Sequence, residues 1–120
     1  MPTLPGMLEL VGLNNCDTCR AARKWLDANS IAYRCRDIRE SPPSTSELKK
    51  WLAAVGSDRL INRRSTTWRQ LSDQDRAKAD TAQAPTLLSK HPTLIKRPVI
   101  VKAGKVTVGF DAATQQAWQG

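Results

Sequence analysis

The spacing of hydrophobic residues changes along the chain, and each spacing predicts a different element. A short apolar run over 7–12 predicts a strand. Ala22 and Leu26 then belong to an apolar stripe at helical spacing, with charged residues on the opposite face, which predicts a helix over 17–28. Over 31–37 apolar and polar residues alternate one by one, as they do in a half-buried strand.

These three elements form a predicted β-α-β unit. So short a crossover is expected to be right-handed, and its two strands are expected to be parallel. Cys35 lies on the apolar side of the second strand, in step with Ile31 and Tyr33. The alternation therefore predicts that Cys35 is a small core residue.

The middle of the chain predicts helices. A Ser-x-x-Glu pattern beginning at Ser44 precedes an apolar helical stripe, and Gly56 follows that stripe as a stop signal. Ser72 is expected to cap a further helix through residue 79, and Pro85 to open another. The basic, hydroxyl-rich segment 60–68 fits a solvated helix end and half of an anion site equally well.

The end of the chain predicts a hairpin followed by a helix. Two apolar segments, 99–102 and 105–109, are separated by the turn residues Ala103 and Gly104. A final helix is predicted over 112–119, anchored by a tryptophan.

The complete order is β-α-β, several helices, then β-β-α. It predicts an α/β fold of thioredoxin-like order, with a four-stranded mixed sheet and a helical insertion. No linker marks a second domain, so we expect residues 1–120 to form one domain with a flexible N-terminal segment over 1–6.

The composition of the chain indicates its compartment and the kind of partner it binds. The 120 residues are 40% hydrophobic and contain neither a membrane-spanning apolar run nor a recognisable signal peptide. Three cysteines without framework spacing favour a reduced, cytoplasmic compartment. The net charge of +8 is spread along the chain and aromatic residues are few, which favours an anion pocket for carboxylates, oxyanions or an acidic thiol cofactor over a nucleic-acid surface.

The candidate chemistry is a Cys-x-x-Cys motif between the first strand and the first helix. Cys16 and Cys19 fall where unpaired backbone N–H groups and the positive end of the helix dipole favour a thiolate. Arg20 and Arg23 follow within a turn or two and are expected to add positive charge. This placement favours thiol redox chemistry at Cys16, with Cys19 as a candidate second thiol.

Three other interpretations of the two cysteines compete with the redox one. The cysteines fit a plain apolar core, since buried free cysteines are common. A zinc site needs four ligands, and Cys35 and His91 are far apart and unpaired. A structural disulfide across two residues closes a very small loop and stabilises little. No metal is expected.

Four segments together resemble the arsenate-reductase-related (ArsC) family of thioredoxin-like proteins, on its YffB/Spx side and nearest to YffB. They are the nucleophile loop Gly12-Leu13-Asn14-Asn15-Cys16-Asp17-Thr18, the central Leu60-Ile61-Asn62 with Arg64 and Thr66-Thr67-Trp68-Arg69, the Ile95-Lys96-Arg97-Pro98 segment, and Gly109-Phe110. The resemblance covers about residues 7–118.

The resemblance implies roles for individual residues. Cys16 is the implied nucleophile, Cys19 a candidate resolving thiol, and Arg97 the group that holds an anion beside it. Pro98 is implied to follow a cis peptide bond, and either Arg64 or Asn62 fills a second anion-binding position. The residues implied to bind substrate or glutathione are Asn14, Asn15, Arg64, Lys96, Arg97, Pro98 and Val99.

The implied function is a glutathione-dependent thiol/disulfide reductase that acts on an oxidised protein or small molecule, with glutathione or another small anionic thiol as co-substrate. Two alternatives stay open. A glutathione-linked arsenate reductase is one. Arsenate reductases of this type carry a third arginine after the last strand, where this chain reads Gly109-Phe110-Asp111, and they have no cysteine at the position of Cys19. The other is a redox-sensing regulator like Spx, which carries Cys-x-x-Cys and binds RNA polymerase.

Overall fold

The structure is a computed structural model that describes residues 7–119, so the predicted flexible segment 1–6 lies outside the described residues. The chain divides into two compact units. The sheet unit comprises Met1–Glu40 with Arg97–Gly120, and the helical unit comprises Ser41–Lys96. That residues 1–120 act as one domain stays a prediction.

Four strands and seven α-helices are present within residues 7–119. The strands are β1 (Leu8–Gly12), β2 (Tyr33–Asp37), β3 (Val99–Lys102) and β4 (Lys105–Val108). The helices are α1 (Asp17–Ala28), α2 (Thr45–Val55), α3 (Ser57–Leu60), α4 (Thr66–Gln70), α5 (Asp73–Ala77), α6 (Ala84–Lys90) and α7 (Ala112–Trp118), with 3₁₀ turns at Lys78–Asp80 and Pro92–Leu94. None of these helices is long and apolar enough to cross a membrane.

The sheet has the strand order β2-β1-β3-β4. β1 pairs with β2 in parallel, while β3 is antiparallel to both β1 and β4. The predicted α/β fold with a thioredoxin-like order and a four-stranded mixed sheet is therefore confirmed. β1 lies at the centre of the sheet, so the loop that leaves its end at Gly12 starts from the most buried part of the unit.

One hydrophobic cluster holds α1 against the sheet. Leu8 and Leu10 of β1 meet Ala22 and Leu26 of α1 and Ile100 of β3, and all five are buried. Partly buried residues pack around this cluster, namely Trp25, Ile31, Tyr33, Phe110 and Trp118. Burying a leucine side chain completely stabilises the folded state by about 2 kcal/mol relative to leaving it exposed. These contacts therefore hold α1 in a fixed position against β1.

The prediction that Cys35 is a core residue is wrong, because its side chain is exposed. Cys35 pairs with Leu10, but β2 is an edge strand with a neighbour on one side only. The charged side chains of Arg23 and Asp27 lie near its thiol and do not seal it from solvent. The alternation of residues therefore predicted correctly which face of β2 carries Cys35, but it did not predict how far that side chain is buried on an edge strand.

The predicted hairpin and final helix are confirmed. Ala103 and Gly104 have φ angles of 50° and 85°, the left-handed pair that matches a two-residue hairpin turn. Trp118 anchors α7 to the hairpin, because its Nε1 donates a hydrogen bond of 2.7 Å to Oγ1 of Thr107. Asp111 caps the start of α7 by accepting from the backbone N–H of Thr114 at 2.9 Å.

The helical unit begins with the predicted capping box. The hydroxyl of Ser44 accepts from the backbone N–H of Glu47, and the Glu47 carboxylate accepts from the backbone N–H of Ser44, both at 3.1 Å. Gly56, with φ of 84°, ends α2 as expected. Ser72 caps α5, but regular α-helix stops at Ala77 and a 3₁₀ turn follows.

A short antiparallel bridge joins the start of the basic segment 60–68 to residues 94–96 within the helical unit. Ile61 pairs with Ile95, the backbone N–H of Asn62 donates to Leu94 at 2.7 Å, and that of Lys96 donates to Leu60 at 2.8 Å. This bridge places the residues that follow Ile61 beside those that follow Ile95.

Candidate active site

The candidate nucleophile lies at the N-terminus of α1. Cys16 is the N-cap residue, with extended backbone angles, and its side chain is partly exposed. The backbone N–H groups of Thr18 and Cys19 are close enough to its sulfur to stabilise a negative charge there. The first turn of α1 therefore presents its unpaired donors to a thiol that solvent can reach.

Burial alone would raise the pKa of the Cys16 thiol. Hydrogen bonds outweigh this effect, first from the backbone N–H and the side chain of Cys19 and then from the backbone N–H of Thr18, and the positive charge of Arg97 adds to them. The net result is that the pKa of Cys16 lies below its ordinary value of 9.0. This shift increases the fraction of thiolate, which is the reactive form.

Cys19 has the opposite environment. Its side chain is fully buried, and burial is the main reason why its pKa rises to about 11. Its hydrogen bond to Cys16 raises the pKa further, while the backbone N–H of Leu13 and the charge of Arg97 act in the other direction. The two cysteines of one motif are thus a reactive thiol and a protonated one.

Arg97 and Pro98, which lie in the segment before β3, are the next predicted site residues. The Arg97–Pro98 peptide bond is cis, as the resemblance implied. Arg97 is partly buried, and its charge acts on both cysteines. Pro98 is buried and its carbonyl accepts from the backbone N–H of Gly109 at 2.9 Å. Val99 is buried between its partners in β1 and β4.

The loop between β1 and α1 is held by a contact that the sequence did not indicate. Asn14 and Asn15 are exposed, and the guanidinium of Arg23 donates to the carbonyl of Asn14 at 3.3 Å. Arg20 instead forms an exposed ion pair of 3.0 Å with Asp17. Neither arginine is among the groups that shift the pKa of Cys16, so their expected contribution to its thiolate is not found.

Gly12 is a site residue that sequence reasoning missed. A Cβ atom placed on Gly12 would lie 2.4 Å from Sγ of Cys19 and 3.8 Å from Cβ of Pro98. The first distance is far shorter than real atoms approach each other, and the second is an ordinary van der Waals contact. A glycine at the end of the strand, directly before the cysteine loop, was the only available signal.

A second group of predicted residues lies in the helical unit. Arg64 and Lys96 line an open hollow of about 500 Å³ together with Asp58, Asn62 and others. Within residues 7–119, neither the Arg64 guanidinium nor the Lys96 ammonium forms a hydrogen bond or an ion pair with a protein group. The side-chain oxygen of Asn62 accepts from the backbone N–H of Arg64 at 3.1 Å, so Asn62 shapes the turn.

The neighbouring Arg63 is differently placed. Its guanidinium donates to Asp80 at 2.7 Å and to Asp58 at 3.4 Å, and lies 5.0 Å from the centre of the Trp68 ring. Its charge is therefore largely compensated, and the hollow owes its positive character to Arg64 and Lys96. The part of the chain that the structure describes contains no cluster of three or more residues suited to hold a metal ion.

Comparison with known proteins gives one matching family and several relatives of similar length. The model of the ArsC family matches residues 12–118. A protein of Haemophilus influenzae whose function is uncharacterised is 39% identical over 111 residues, covering 92% of this chain and 97% of its own. The global transcriptional regulator Spx of Listeria innocua is 34% identical over 107 residues, covering 88% and 81%.

Solved structures agree with these relatives. The YFFB protein is 34% identical, with a TM-score of 0.87 over 95% of this chain and all of its own. An arsenate reductase-related protein from Brucella melitensis is 35% identical, with a TM-score of 0.72 over 93% of each chain. An arsenate reductase from Vibrio cholerae, 19% identical with a TM-score of 0.70 over 95% of this chain and 96% of its own, shares the fold.

Proposed function

Because this chain belongs to the ArsC family, we propose that it is a thiol redox protein, and more specifically a glutathione-dependent thiol/disulfide reductase with Cys16 as its nucleophile. The observation that carries the proposal is the state of Cys16. Its thiol is reachable by solvent, is placed at the start of a twelve-residue helix, and has a lowered pKa in spite of its partial burial.

In the first step, the Cys16 thiolate attacks the glutathionyl sulfur of a mixed disulfide between glutathione and a substrate thiol. A Cys16–glutathione disulfide forms, and the substrate leaves as a thiolate that takes up a proton. Backbone N–H groups of α1 and the charge of Arg97 favour the attacking thiolate in its free state. The substrate class is therefore an oxidised protein or small molecule with an accessible disulfide.

In the second step, the thiolate of a second glutathione attacks the same glutathionyl sulfur. Glutathione disulfide leaves and Cys16 returns to the thiolate. The net reaction converts the mixed disulfide and one glutathione thiol into the free substrate thiol and glutathione disulfide. No metal takes part. The backbone beside Pro98 is the proposed hydrogen-bonding partner of the glutathione peptide, and the exposed Asn14 and Asn15 the proposed rim of this site.

Arg64 and Lys96 are the proposed carboxylate-binding cations of the helical unit. Both are exposed, and their charged groups have no protein partner among the described residues. Between the two candidates for the second anion-binding position, we propose Arg64, because its exposed guanidinium is a charged donor that has no protein partner among the described residues. The free thiols fit the reduced, cytoplasmic setting that we propose for the protein.

The experiment that tests the function measures reduction of a glutathionylated peptide by glutathione. We expect Cys16→Ser to abolish turnover and Cys35→Ser, which changes an exposed cysteine outside the site, to leave it unchanged. A glutathione titration followed by NMR should shift the signals of Cys16 and Arg97. An active Cys16→Ser variant, or a wild-type protein whose alkylation by iodoacetamide titrates at the ordinary cysteine pKa, refutes the proposal.

A redox-sensing role like that of Spx is the second candidate. It is favoured by the hydrogen bond between Cys16 and Cys19 and by the similarity to Spx proteins. In that case glutathione has no effect, and oxidation of the two thiols changes the affinity for RNA polymerase. Consumption of arsenate in the presence of glutathione would instead indicate an arsenate reductase, although Asp111 places a carboxylate where the family has an arginine.

A further inference from the structure

We infer that Arg23 is a positioning residue of the proposed reaction: by holding the carbonyl of Asn14, it orients the backbone N–H of Asn15 as a fixed hydrogen-bond donor for the disulfide substrate. The inference rests on the proposed function and adds to it a residue outside the cysteine motif. Arg23 acts through the loop that the substrate meets, and not on the reacting sulfur of Cys16.

The contact between Arg23 and Asn14 is the first observation. Nη2 of Arg23 donates to the carbonyl oxygen of Asn14 at 3.3 Å, and the charge of the guanidinium strengthens this bond. Arg23 lies about two helical turns after Cys16, or about 10 Å along the axis of α1. Helical side chains lean towards the N-terminus of their helix, so a side chain as long as that of arginine reaches back to the loop.

The loop that this bond holds has few other contacts. Leu13 is buried, but Asn14 and Asn15 form an exposed turn between β1 and α1. Within residues 7–119, the bond from Arg23 is the one hydrogen bond that either asparagine forms with another part of the protein. Arg23 is itself partly buried, so its side chain has less freedom to lose than an exposed arginine has. This bond therefore decides where the carbonyl of Asn14 points.

The peptide plane between Asn14 and Asn15 transmits this orientation to the substrate side. The peptide bond is trans, since the cis bond found among residues 7–119 is the one that precedes Pro98. In a planar trans peptide the C=O and the following N–H point in opposite directions. The carbonyl of Asn14 faces Arg23, so the N–H of Asn15 faces away from it, and this N–H has no acceptor among the described residues.

The N–H of Asn15 is thus an available donor on an exposed residue directly before Cys16. Its natural acceptor is a carbonyl or carboxylate oxygen of the substrate whose disulfide the sulfur attacks. Arg23 is not among the groups that shift the pKa of Cys16. Its loss should therefore weaken substrate binding and leave the fraction of thiolate unchanged, which separates its role from that of Arg97.

The test measures kcat and KM for reduction of a glutathionylated peptide by the full chain. We expect Arg23→Ala to raise the KM for the peptide about fivefold with kcat nearly unchanged, as loss of one hydrogen bond to substrate does. Arg23→Lys keeps a charged donor for the same carbonyl and should restore most of the KM. The pH dependence of Cys16 alkylation by iodoacetamide should be the same in these variants as in the wild-type protein.

Lys24→Ala is the matched control. It removes an exposed positive charge from the next position of α1, and Lys24 forms no hydrogen bond or ion pair within residues 7–119. The KM should stay at the wild-type value. An equal rise in KM with Lys24→Ala would mean that positive charge on α1 attracts the peptide at long range, and would overturn the inference.

The second readout does not depend on turnover. In backbone NMR spectra of the reduced protein, Arg23→Ala should shift the amide signal of Asn15, because the carbonyl of the same peptide loses its hydrogen bond, and Lys24→Ala should not. An unshifted Asn15 signal, an unchanged KM or a raised pKa of Cys16 in Arg23→Ala overturns the inference and leaves the proposed function intact. A wild-type protein without turnover refutes the proposed function, and the Asn15 signal then decides alone whether Arg23 holds the loop.

Discussion

Burial of the Cys19 thiol predicts that the protein loses stability in alkaline solution. Its pKa is about 11 in the folded protein and 9.0 for an ordinary thiol. Because the folded value is the higher one, the stabilisation is fully present below pH 9.0 and is lost as the pH rises towards 11. A difference of two units corresponds to about 3 kcal/mol, and about half of it is lost by pH 10.

The assay is urea unfolding followed by tryptophan fluorescence, in reductant, at pH 8 and at pH 10. Many groups titrate in this range, so the wild-type protein is compared with Cys19→Ala at each pH. Cys16 titrates in the opposite sense, because its depressed pKa adds stability as the pH rises towards 9.0, and its contact with Cys19 makes this contribution differ between the two proteins. Both proteins in the comparison therefore also carry Cys16→Ser, which removes the titration of Cys16. Cys19→Ala is destabilised at pH 8 by loss of the buried sulfur, which leaves a small cavity.

In the Cys16→Ser background, the advantage of the protein that keeps Cys19 over the Cys19→Ala variant should therefore shrink by about 1 kcal/mol between pH 8 and pH 10. The same comparison with Cys35→Ser should show a smaller change, because that thiol is exposed. If the advantage over Cys19→Ala is the same at both pH values, Cys19 does not hold its proton more strongly when folded, and the reasoning about its burial is refuted.

Two further predictions concern single contacts. Ser44→Ala removes one half of the capping box of α2 and should lower the free energy of unfolding by about 1 kcal/mol, measured by the same urea assay, with no change in the pKa of Cys16. Arg97→Gln should raise the pKa of Cys16 by less than about one unit, because its charge contributes less than the hydrogen bonds do; an unchanged alkylation profile would contradict this assignment.

Elements whose signals are local could be predicted from the sequence. α1 begins and ends at the predicted residues, because an apolar stripe, a strand before it and Asn29 after it all act within a few positions. The capping box at Ser44 and the turn at Ala103 and Gly104 are likewise set by neighbouring residues. Each of these features depends on backbone geometry that adjacent side chains determine.

The extent to which a side chain is buried could not be predicted from its sequence neighbours. Cys35 was predicted to be a core residue and Cys19 a candidate second thiol, yet Cys19 is fully buried and Cys35 is exposed. Cys19 lies against the end of the central strand, where Gly12 admits its sulfur, whereas Cys35 lies on an edge strand. The order of strands in the sheet decides the difference, and strand order is not a local property.

The ion pairs of the basic segment 60–68 could not be predicted from its sequence either. Arg63 and Arg64 are adjacent and chemically identical, and the sequence left their segment open between a solvated helix end and half of an anion site. Asp80, far along the chain, pairs with Arg63 at 2.7 Å and takes it out of consideration as an anion ligand. Arg64 meets no such carboxylate, and the bridge between Ile61 and Ile95 brings Lys96 to the same hollow. The surroundings of each arginine are therefore set by residues outside the segment, which the segment alone could not indicate, and an anion site at Arg64 stays a prediction.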